Sequence, residues 1–348
     1  MVFIFHDAPD DVIFGHLQMF TFLLTNLYKA SIILIFIVLK NSALWAYTKY
    51  RPVGSGCYLF ILDKESINML TDKKISFIGT GNMGEALVSG LICSGSSKAK
   101  NITCSDIREG NLEVIKKKYG VATTTSNIEA VQAGEIIIYA TKPQIIASVL
   151  SETAESLDMS KLIISIAAGV PMAAIETSLK KELRLIRVMP NIAAFVKESA
   201  TAVAAGKNAR EEDIKMAMTI FNSVGKSVFI KENELMDAIT GLSGSGPAYI
   251  FLIVDAMADA GVKMGLSRRE ALLLSSQTVL GAAKLLLETG EHPGQLKDRV
   301  TSPGGTAIVG IHTLEKGGIR TTMINAVEAA TKRSMELGEI MTRNFSKE

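Results

Sequence analysis

The feature that most constrains this chain is the hexapeptide Gly79-Thr80-Gly81-Asn82-Met83-Gly84. A G-x-G-x-x-G pattern alone says little, and its flanks decide its meaning. Residues 74–78 before it (KISFI) read as a strand, and a helical stretch runs from it to about Ser94. A second strand, 102–105, ends at Asp106, 25 residues beyond Gly81. In that setting the first glycine permits a tight turn. The second lets backbone approach a pyrophosphate, and the third lets helix and strand pack closely. The helix start adds free N–H groups and the positive end of a dipole. The pattern predicts a dinucleotide site.

Downstream the same grammar repeats. Residues 109–119 read as helix, 135–140 and 162–166 as apolar strands with a helix over 145–157 between them, and 183–188 as a further strand. Strands alternating with helices of this length predict βαβ units in a parallel sheet. Ligands of such sheets sit beyond the carboxyl ends of the strands. Two more strand ends therefore face the same crevice, Ala140-Thr141-Lys142-Pro143 and Ala167-Ala168-Gly169-Val170-Pro171. Their small residues let a nicotinamide-ribose lie against the backbone. Met189-Pro190-Asn191 closes the next strand, and Asn191 offers a donor and an acceptor at the rim. The choice of dinucleotide stays open at this level. Asp106 is placed to accept from a ribose 2′-hydroxyl, favouring NADH, whereas Ser105 and Arg108 are placed to hold a 2′-phosphate, favouring NADPH.

Beyond Ile230 the β-rich runs stop. Helices are expected over 232–240, 247–263, 268–288, 306–316 and 319–337, all rich in Ala, Leu, Val and Met. Residues 248–260 and 271–287 are apolar around nearly the whole circumference, and such helices must be buried on most sides. A domain this small cannot bury five of them, so packing between subunits is expected. Residues 241–247 (GLSGSGP) read as a flexible turn entering a helix, with Pro247 at the first helical position. Val300-Thr301-Ser302-Pro303-Gly304-Gly305-Thr306 gathers hydroxyls and glycine N–H groups at the start of the next helix, a ready carboxylate cradle. Upstream, Glu291-His292-Pro293-Gly294-Gln295 reads as a polar turn. Glu291 there is suited to an amine or iminium, and His292 to a structural part.

With Gly79–Gly84, Lys142-Pro143, Met189-Pro190-Asn191, residues 243–249 and above all 291–315 in view, the chain resembles the Δ1-pyrroline-5-carboxylate reductase family. The likeness runs from about residue 73 to 337, and its most specific stretch is 292–305, HPGQLKDRVTSPGG. It implies an α/β fold: an N-terminal Rossmann domain with a doubly wound, mostly parallel sheet, and an all-α C-terminal dimerisation domain. The domains would cover 69–231 and 232–348. It also implies NADPH- or NADH-dependent reduction of 1-pyrroline-5-carboxylate to L-proline, the last step of proline biosynthesis, by homodimers that assemble into larger rings. By the same match, cofactor contacts fall on Ile78, Gly79, Thr80, Gly81, Asn82, Met83, Ser105, Asn127, Ala140, Thr141, Lys142, Pro143, Ala167, Ala168 and Gly169. Gly84, Asp106 and Arg108 join them from the motif itself. Substrate contacts fall on Glu291, Thr306 and Ala307, with Ser302, Gly304 and Gly305 completing the cradle. The catalytic set is Glu291, Thr306 and Ser302, with no metal. Two positions depart from the family pattern. Where Gly-Gly-x-Thr is usual the chain reads Gly304-Gly305-Thr306-Ala307, so one hydroxyl is missing and Thr306 or Ser302 is left to make its contact. A hydrogen bond to a charged group is worth about 1.5–3 kcal/mol. Ile192-Ala193 stands where Thr-Pro usually follows the asparagine.

Composition singles out one segment. Residues 1–68 hold 12 of the 21 aromatic residues (7 of 13 Phe, 4 of 7 Tyr and Trp45) but 3 of the 28 glycines. Their uncharged runs, 12–28 and 30–39, are separated by Lys29, and a membrane span needs roughly 20 mostly apolar residues. Three readings stand for this segment: a stretch upstream of a true start at Met69, a membrane anchor or hairpin, and a partner-binding helix. Nothing in it matches the family, which favours the first and places the enzyme in the cytoplasm, with membrane contact only if 1–68 is expressed. With 37 Lys and Arg against 35 Asp and Glu, the net charge of +2 disfavours nucleic-acid binding. Cys57, Cys93 and Cys104 lack disulfide or zinc spacing and read as reduced thiols. Two rivals remain: a two-domain dehydrogenase of the 3-hydroxyisobutyrate or 6-phosphogluconate type, which would use a helical lysine such as Lys263 or Lys284, and a membrane-tethered dinucleotide sensor.

Overall fold

Strands that are apolar at successive positions can only lie in a sheet covered on both faces, and three such runs organise this fold. The computed structural model describes residues 69–230 and 235–345, together with the backbone of Pro52–Val53 and Cys57–Tyr58, which form a short antiparallel ladder. The chain divides into two compact units, Met1–Lys64 and Glu65–Glu348. Apart from that ladder, the expectations for 1–68 lie outside the described residues.

The second unit contains an eight-stranded sheet: β1 (Ile75–Ile78), β2 (Ile102–Ser105), β3 (Ala122–Thr124), β4 (Ile136–Tyr139), β5 (Leu162–Ser165), β6 (Arg184–Met189), β7 (Ser199–Ala205) and β8 (Gly225–Ile230). Their spatial order is β8-β7-β6-β5-β4-β1-β2-β3. The first six therefore stand as 3-2-1-4-5-6, the arrangement of a dinucleotide-binding domain, and its order reverses between β1 and β4. All pairs are parallel except β6 with β7. Alternate side chains fill two cores. Phe77, Ile138, Ile164 and Ile186 point to one face with Leu87 and Phe221, whereas Ile78, Ile137, Tyr139, Ile163 and Leu185 point to the other.

The helices are α1 (Asn82–Cys93), α2 (Glu109–Tyr119), α3 (Asn127–Ala133), α4 (Ile146–Thr153), α5 (Met172–Leu179) and α6 (Glu211–Asn222), then α7 (Met236–Ile239), α8 (Gly246–Lys263), α9 (Arg268–Thr289), α10 (Pro293–Arg299), α11 (Thr306–Lys316) and α12 (Ile319–Phe345). Strands β3, β7 and β8 and helices α3, α5, α6 and α10 go beyond the elements expected from sequence. Strand β7 (SATAVAA) is too small-residue-rich to carry a strong strand signal. The polar turn expected at 291–295 is in fact the entry to α10, with His292 Nδ1 accepting from the Gly294 N–H at 3.1 Å as a helix cap.

The turn expected at 241–247 is likewise not flexible. Residues Thr240–Gly244 form a π-helical turn that joins α7 to α8. Packing explains its glycines. A Cβ on Gly241 would lie 2.4 Å from Thr331 Oγ1 of α12, and one on Gly244 would lie 2.6 Å from Met189 Cε. Helix α12 also runs past the expected end at Leu337. Met341 and the buried Phe345 continue into the core beneath the sheet, among Leu185 and Met236. Its Gly338 lies against the loop after β5, where an added Cβ would stand 3.5 Å from Gly169 O and 3.6 Å from Pro171.

Candidate active site

The crevice forms where the loops after β1 and β4 meet. Gly79 adopts φ +98°, a conformation side chains resist, and a Cβ there would stand 3.0 Å from the Ala140 carbonyl oxygen and 3.2 Å from Thr141 Cγ2. Its N–H donates to Ser105 O at 2.8 Å, which ties the loop to β2. Gly84 lets α1 close on the loop, since a Cβ there would fall 2.4 Å from Gly79 O. Gly81 is different. Its hypothetical Cβ meets nothing within 4 Å, so the backbone at the α1 N-cap is open on that side. No side chain caps α1, which leaves its first N–H groups to a ligand. Thr141 Oγ1 at the same junction is buried without a hydrogen-bond partner. An open glycine, an uncapped helix and an orphaned hydroxyl at the switch point fit a dinucleotide pyrophosphate and the groups beyond it.

Three sequence-placed residues have other duties here. Asp106 is buried, and its carboxylate accepts five hydrogen bonds. Oδ2 takes the Thr80 N–H and Oγ1, each at 3.0 Å, and Asn111 Nδ2 at 3.1 Å, while Oδ1 takes Arg108 N–H at 2.9 Å and Nε at 3.2 Å. Burial pushes this carboxyl up, but the donors from Arg108, Asn111 and Thr80 outweigh it and hold it down at about 2. A carboxylate offers roughly four lone-pair sites, so none is left for a ribose hydroxyl. Asp106 clasps the glycine loop to α2 instead. Ser105 is fully buried and donates to Asn127 Oδ1 at 2.8 Å, and Asn127 Nδ2 reaches Glu152 at 2.9 Å. Neither is exposed to a phosphate. Arg108 is largely exposed.

Asn191 is spent internally too. Its Oδ1 accepts from Ala193 N–H at 3.1 Å, its Nδ2 donates to Ser243 O at 3.0 Å, and its own N–H donates to Ser199 Oγ at 3.1 Å. The residue staples the end of β6 to the π-helical turn. It does so without the Thr-Pro that usually follows in the family.

The cradle before α11 is open. Gly304 takes φ +68°, Gly305 N–H donates to Ser302 O at 3.0 Å, and Gly305 caps α11 by backbone alone. Ser302, Gly304 and Thr306 are exposed, with Ala307 half-buried beside them. No side chain caps the first N–H groups of α11, which leaves them and the exposed Thr306 hydroxyl available to a carboxylate. Glu291 stands before it but is not free: Arg299 grips both its oxygens, Nη1 to Oε1 at 2.9 Å and Nη2 to Oε2 at 2.8 Å. Within the chain, no hydrogen bond among the described residues joins 291–307 to the glycine loop or to the loops after β4 and β5.

The long helices that precede this cradle in the chain are strongly apolar outside. Residues Met236–Lys263 and Arg268–Thr289 are long and apolar enough to cross a membrane, yet their apolar windows are only 6% and 11% buried within the chain. Comparison with known proteins shows what such a surface serves. The family model for pyrroline-5-carboxylate reductase dimerisation matches residues 233–337, and that for NADP oxidoreductase, coenzyme F420-dependent, matches 74–169. The pyrroline-5-carboxylate reductase of Methanosarcina acetivorans is 52% identical over 270 residues, 78% of this chain and all of that one. The chain belongs to the pyrroline-5-carboxylate reductase family. Solved structures of the family agree with the fold. The enzyme from Coxiella burnetii superposes with TM-score 0.74 at 38% identity, over 76% of this chain and 98% of that one. The Plasmodium falciparum enzyme, described with NADP bound, gives 0.69 at 36% identity, over 77% and 99%. An N-terminal Rossmann domain followed by a helical dimerisation domain is thus the architecture of this chain as of its relatives.

Proposed function

We propose that this chain reduces 1-pyrroline-5-carboxylate to L-proline with NADPH or NADH, the last step of proline biosynthesis. One observation carries the reading. A dinucleotide crevice at the β1/β4 switch point and an open carboxylate cradle before α11 occur in a chain 52% identical to a named reductase of this kind. The dinucleotide, when bound, supplies the hydride for the imine carbon, and a proton completes the nitrogen. Reduction of a protonated imine asks for position more than for acid–base strength. The backbone of Gly79, Gly81 and α1 holds the pyrophosphate, and the small residues Ala140 and Ala168 leave room above the strand ends. The N–H groups at the start of α11, with Thr306 and Ser302, fix the substrate carboxylate. Glu291, oriented by Arg299, keeps acceptor capacity on both oxygens for the iminium N–H.

The apolar faces of α8 and α9 support a homodimer, and exposed Ile308, Val309 and Leu314 on α11 offer a further surface for rings of dimers. The cytoplasm is the proposed compartment, with membrane contact only through 1–68. The test is consumption of NAD(P)H on adding 1-pyrroline-5-carboxylate, with proline as product. Thr306→Ala should raise KM for the imine about tenfold and that for NADPH less than twofold, from the loss of one hydrogen bond to a charged group. Equal rises in both would refute the placement, and no turnover by the folded native chain would refute the reaction.

A further inference from the structure

Resting on the reductase reading, we propose that Arg187 is a positioning residue for hydride transfer: through Asp237 and Ser334 it holds α12 against the loop that faces the nicotinamide. Arg187 lies in β6, two residues before its end at Met189, and its side chain shares a sheet face with Leu185 and Met189. That face packs against α7 and α12, which bring Met236 and Phe345 to it. Arg187 is 5% exposed and makes no side-chain hydrogen bond among the described residues. A buried charge without close partners burdens a fold, and an apolar side chain of similar length would fill the same space.

Burial pushes the Arg187 guanidinium below its ordinary pKa, and the charge of Asp237 on α7 opposes that push. The two form no direct ion pair, but attraction across a gap stays strong where water is excluded. Asp237 Oδ1 in turn accepts from Ser334 Oγ of α12 at 2.6 Å, although the two residues lie 97 apart in sequence. Sheet, α7 and α12 are thus joined by one polar chain. Ser334 shares a face of α12 with Leu337 and Gly338, one turn further on. Those two meet the loop after β5. A Cβ on Gly169 would stand 3.5 Å from Leu337 Cβ, and one on Gly338 would stand 3.5 Å from Gly169 O and 3.6 Å from Pro171 Cγ. The same loop starts beside Arg187: Ser165 pairs with it in register, and Ser165 Oγ accepts from the Ala167 N–H at 3.4 Å. Ala167, Ala168 and Gly169 are the backbone set against the nicotinamide-ribose in the reductase reading. A shift of α12 at Ser334 therefore moves the nicotinamide side of the crevice. The pyrophosphate site at Gly79–Gly84 stands on another strand and keeps its contacts.

The test is steady-state kinetics of the full chain with 1-pyrroline-5-carboxylate and NADPH or NADH, each also in its 4,4-dideuterated form. The isotope effect on kcat reports how far hydride transfer limits turnover. Arg187→Met keeps an apolar stem and removes the charge. Its kcat per folded molecule should fall about 10- to 100-fold, the scale of a misplacement of about 1 Å. The isotope effect should rise, while KM for the imine and Kd for the dinucleotide stay within about threefold. Arg187→Lys should recover part of kcat, because an ammonium still faces Asp237. Ser334→Ala cuts α12 from Asp237 without removing a charge, and its kcat should fall about three- to tenfold, the worth of one hydrogen bond. An Arg187 that serves the fold alone would lower Tm in Arg187→Met and leave kcat and isotope effect native, and that result would overturn the proposal. If Arg187→Met does not fold, Ser334→Ala decides, and a native kcat and isotope effect there overturn it equally. Either failure, in a native chain that turns over, leaves the reductase reading standing; a native chain that oxidises neither cofactor on adding the imine removes both.

Discussion

The clearest perturbation of the crevice is a single methyl group on Gly81. Its backbone, φ −68° and ψ −173°, suits any residue, and a Cβ meets no atom within 4 Å. Gly81→Ala should therefore fold normally. It should even gain about 0.4–1 kcal/mol, because alanine restricts the unfolded chain. The same methyl stands where backbone must approach the pyrophosphate. Lengthening one charged hydrogen bond there costs about 1.5–3 kcal/mol, or roughly 10- to 150-fold in Kd. The assay is NADPH binding by fluorescence alongside a thermal melt of the ligand-free chain. The expected pair is an unchanged or raised Tm with a weakened Kd. Gly84→Ala is the contrast, since its Cβ would fall 2.4 Å from Gly79 O. Helix α1 must move, and overpacking of this kind costs about 1–3 kcal/mol, so here Tm should drop as well. NADPH affinity within threefold of native in Gly81→Ala would refute the placement of the pyrophosphate.

Three further outcomes follow from particular contacts. Arg184 Nε donates to the fully buried Asp213 at 3.0 Å, so Arg184→Met strands a carboxylate and should cost about 3–5 kcal/mol; the double variant with Asp213→Leu should restore most of it, and a melt that shifts less than 2 °C in the single variant would sink the argument. The Asp106 carboxyl is held below its ordinary value, at about 2, so the stability it adds is complete above that ordinary value, near about pH 4, and is lost as pH falls toward 2. Melts of the native chain and Asp106→Asn should accordingly converge below that point, and a constant gap from pH 6 to pH 3 would count against it. Leu273 and Leu280, one heptad apart on α9 and exposed in the single chain, should lie in the dimer contact; glutamate at both should give monomers by light scattering, and a native chain that is already monomeric would contradict the interface.

Much of this protein is local chemistry and was legible as such. The glycine loop between strand and helix, the helix bounds at 109–119 and 306–316, and the cradle at 302–306 depend on residues a few positions apart, whose backbone preferences and spacing are written in the chain. The surplus of apolar helix surface was equally readable, because area and composition do not require coordinates. What the tertiary structure decided is where each polar group spends its bonds. Asp106 reads as a free acceptor until Thr80, 26 residues earlier, is seen to fill it, and Asn191 as a rim residue until Ser243, 52 residues later, takes its amide. Residues 241–247 read as a flexible turn because three glycines carry no local sign that α12 lies against one of them. The continuation of α12 past Leu337 is likewise favoured by the core beneath the sheet, where Phe345 is buried, and no residue near Leu337 signals it. Propensity and periodicity act within a turn or two of chain, whereas saturation of a lone pair or the filling of a contact is a property of segments that meet only on folding.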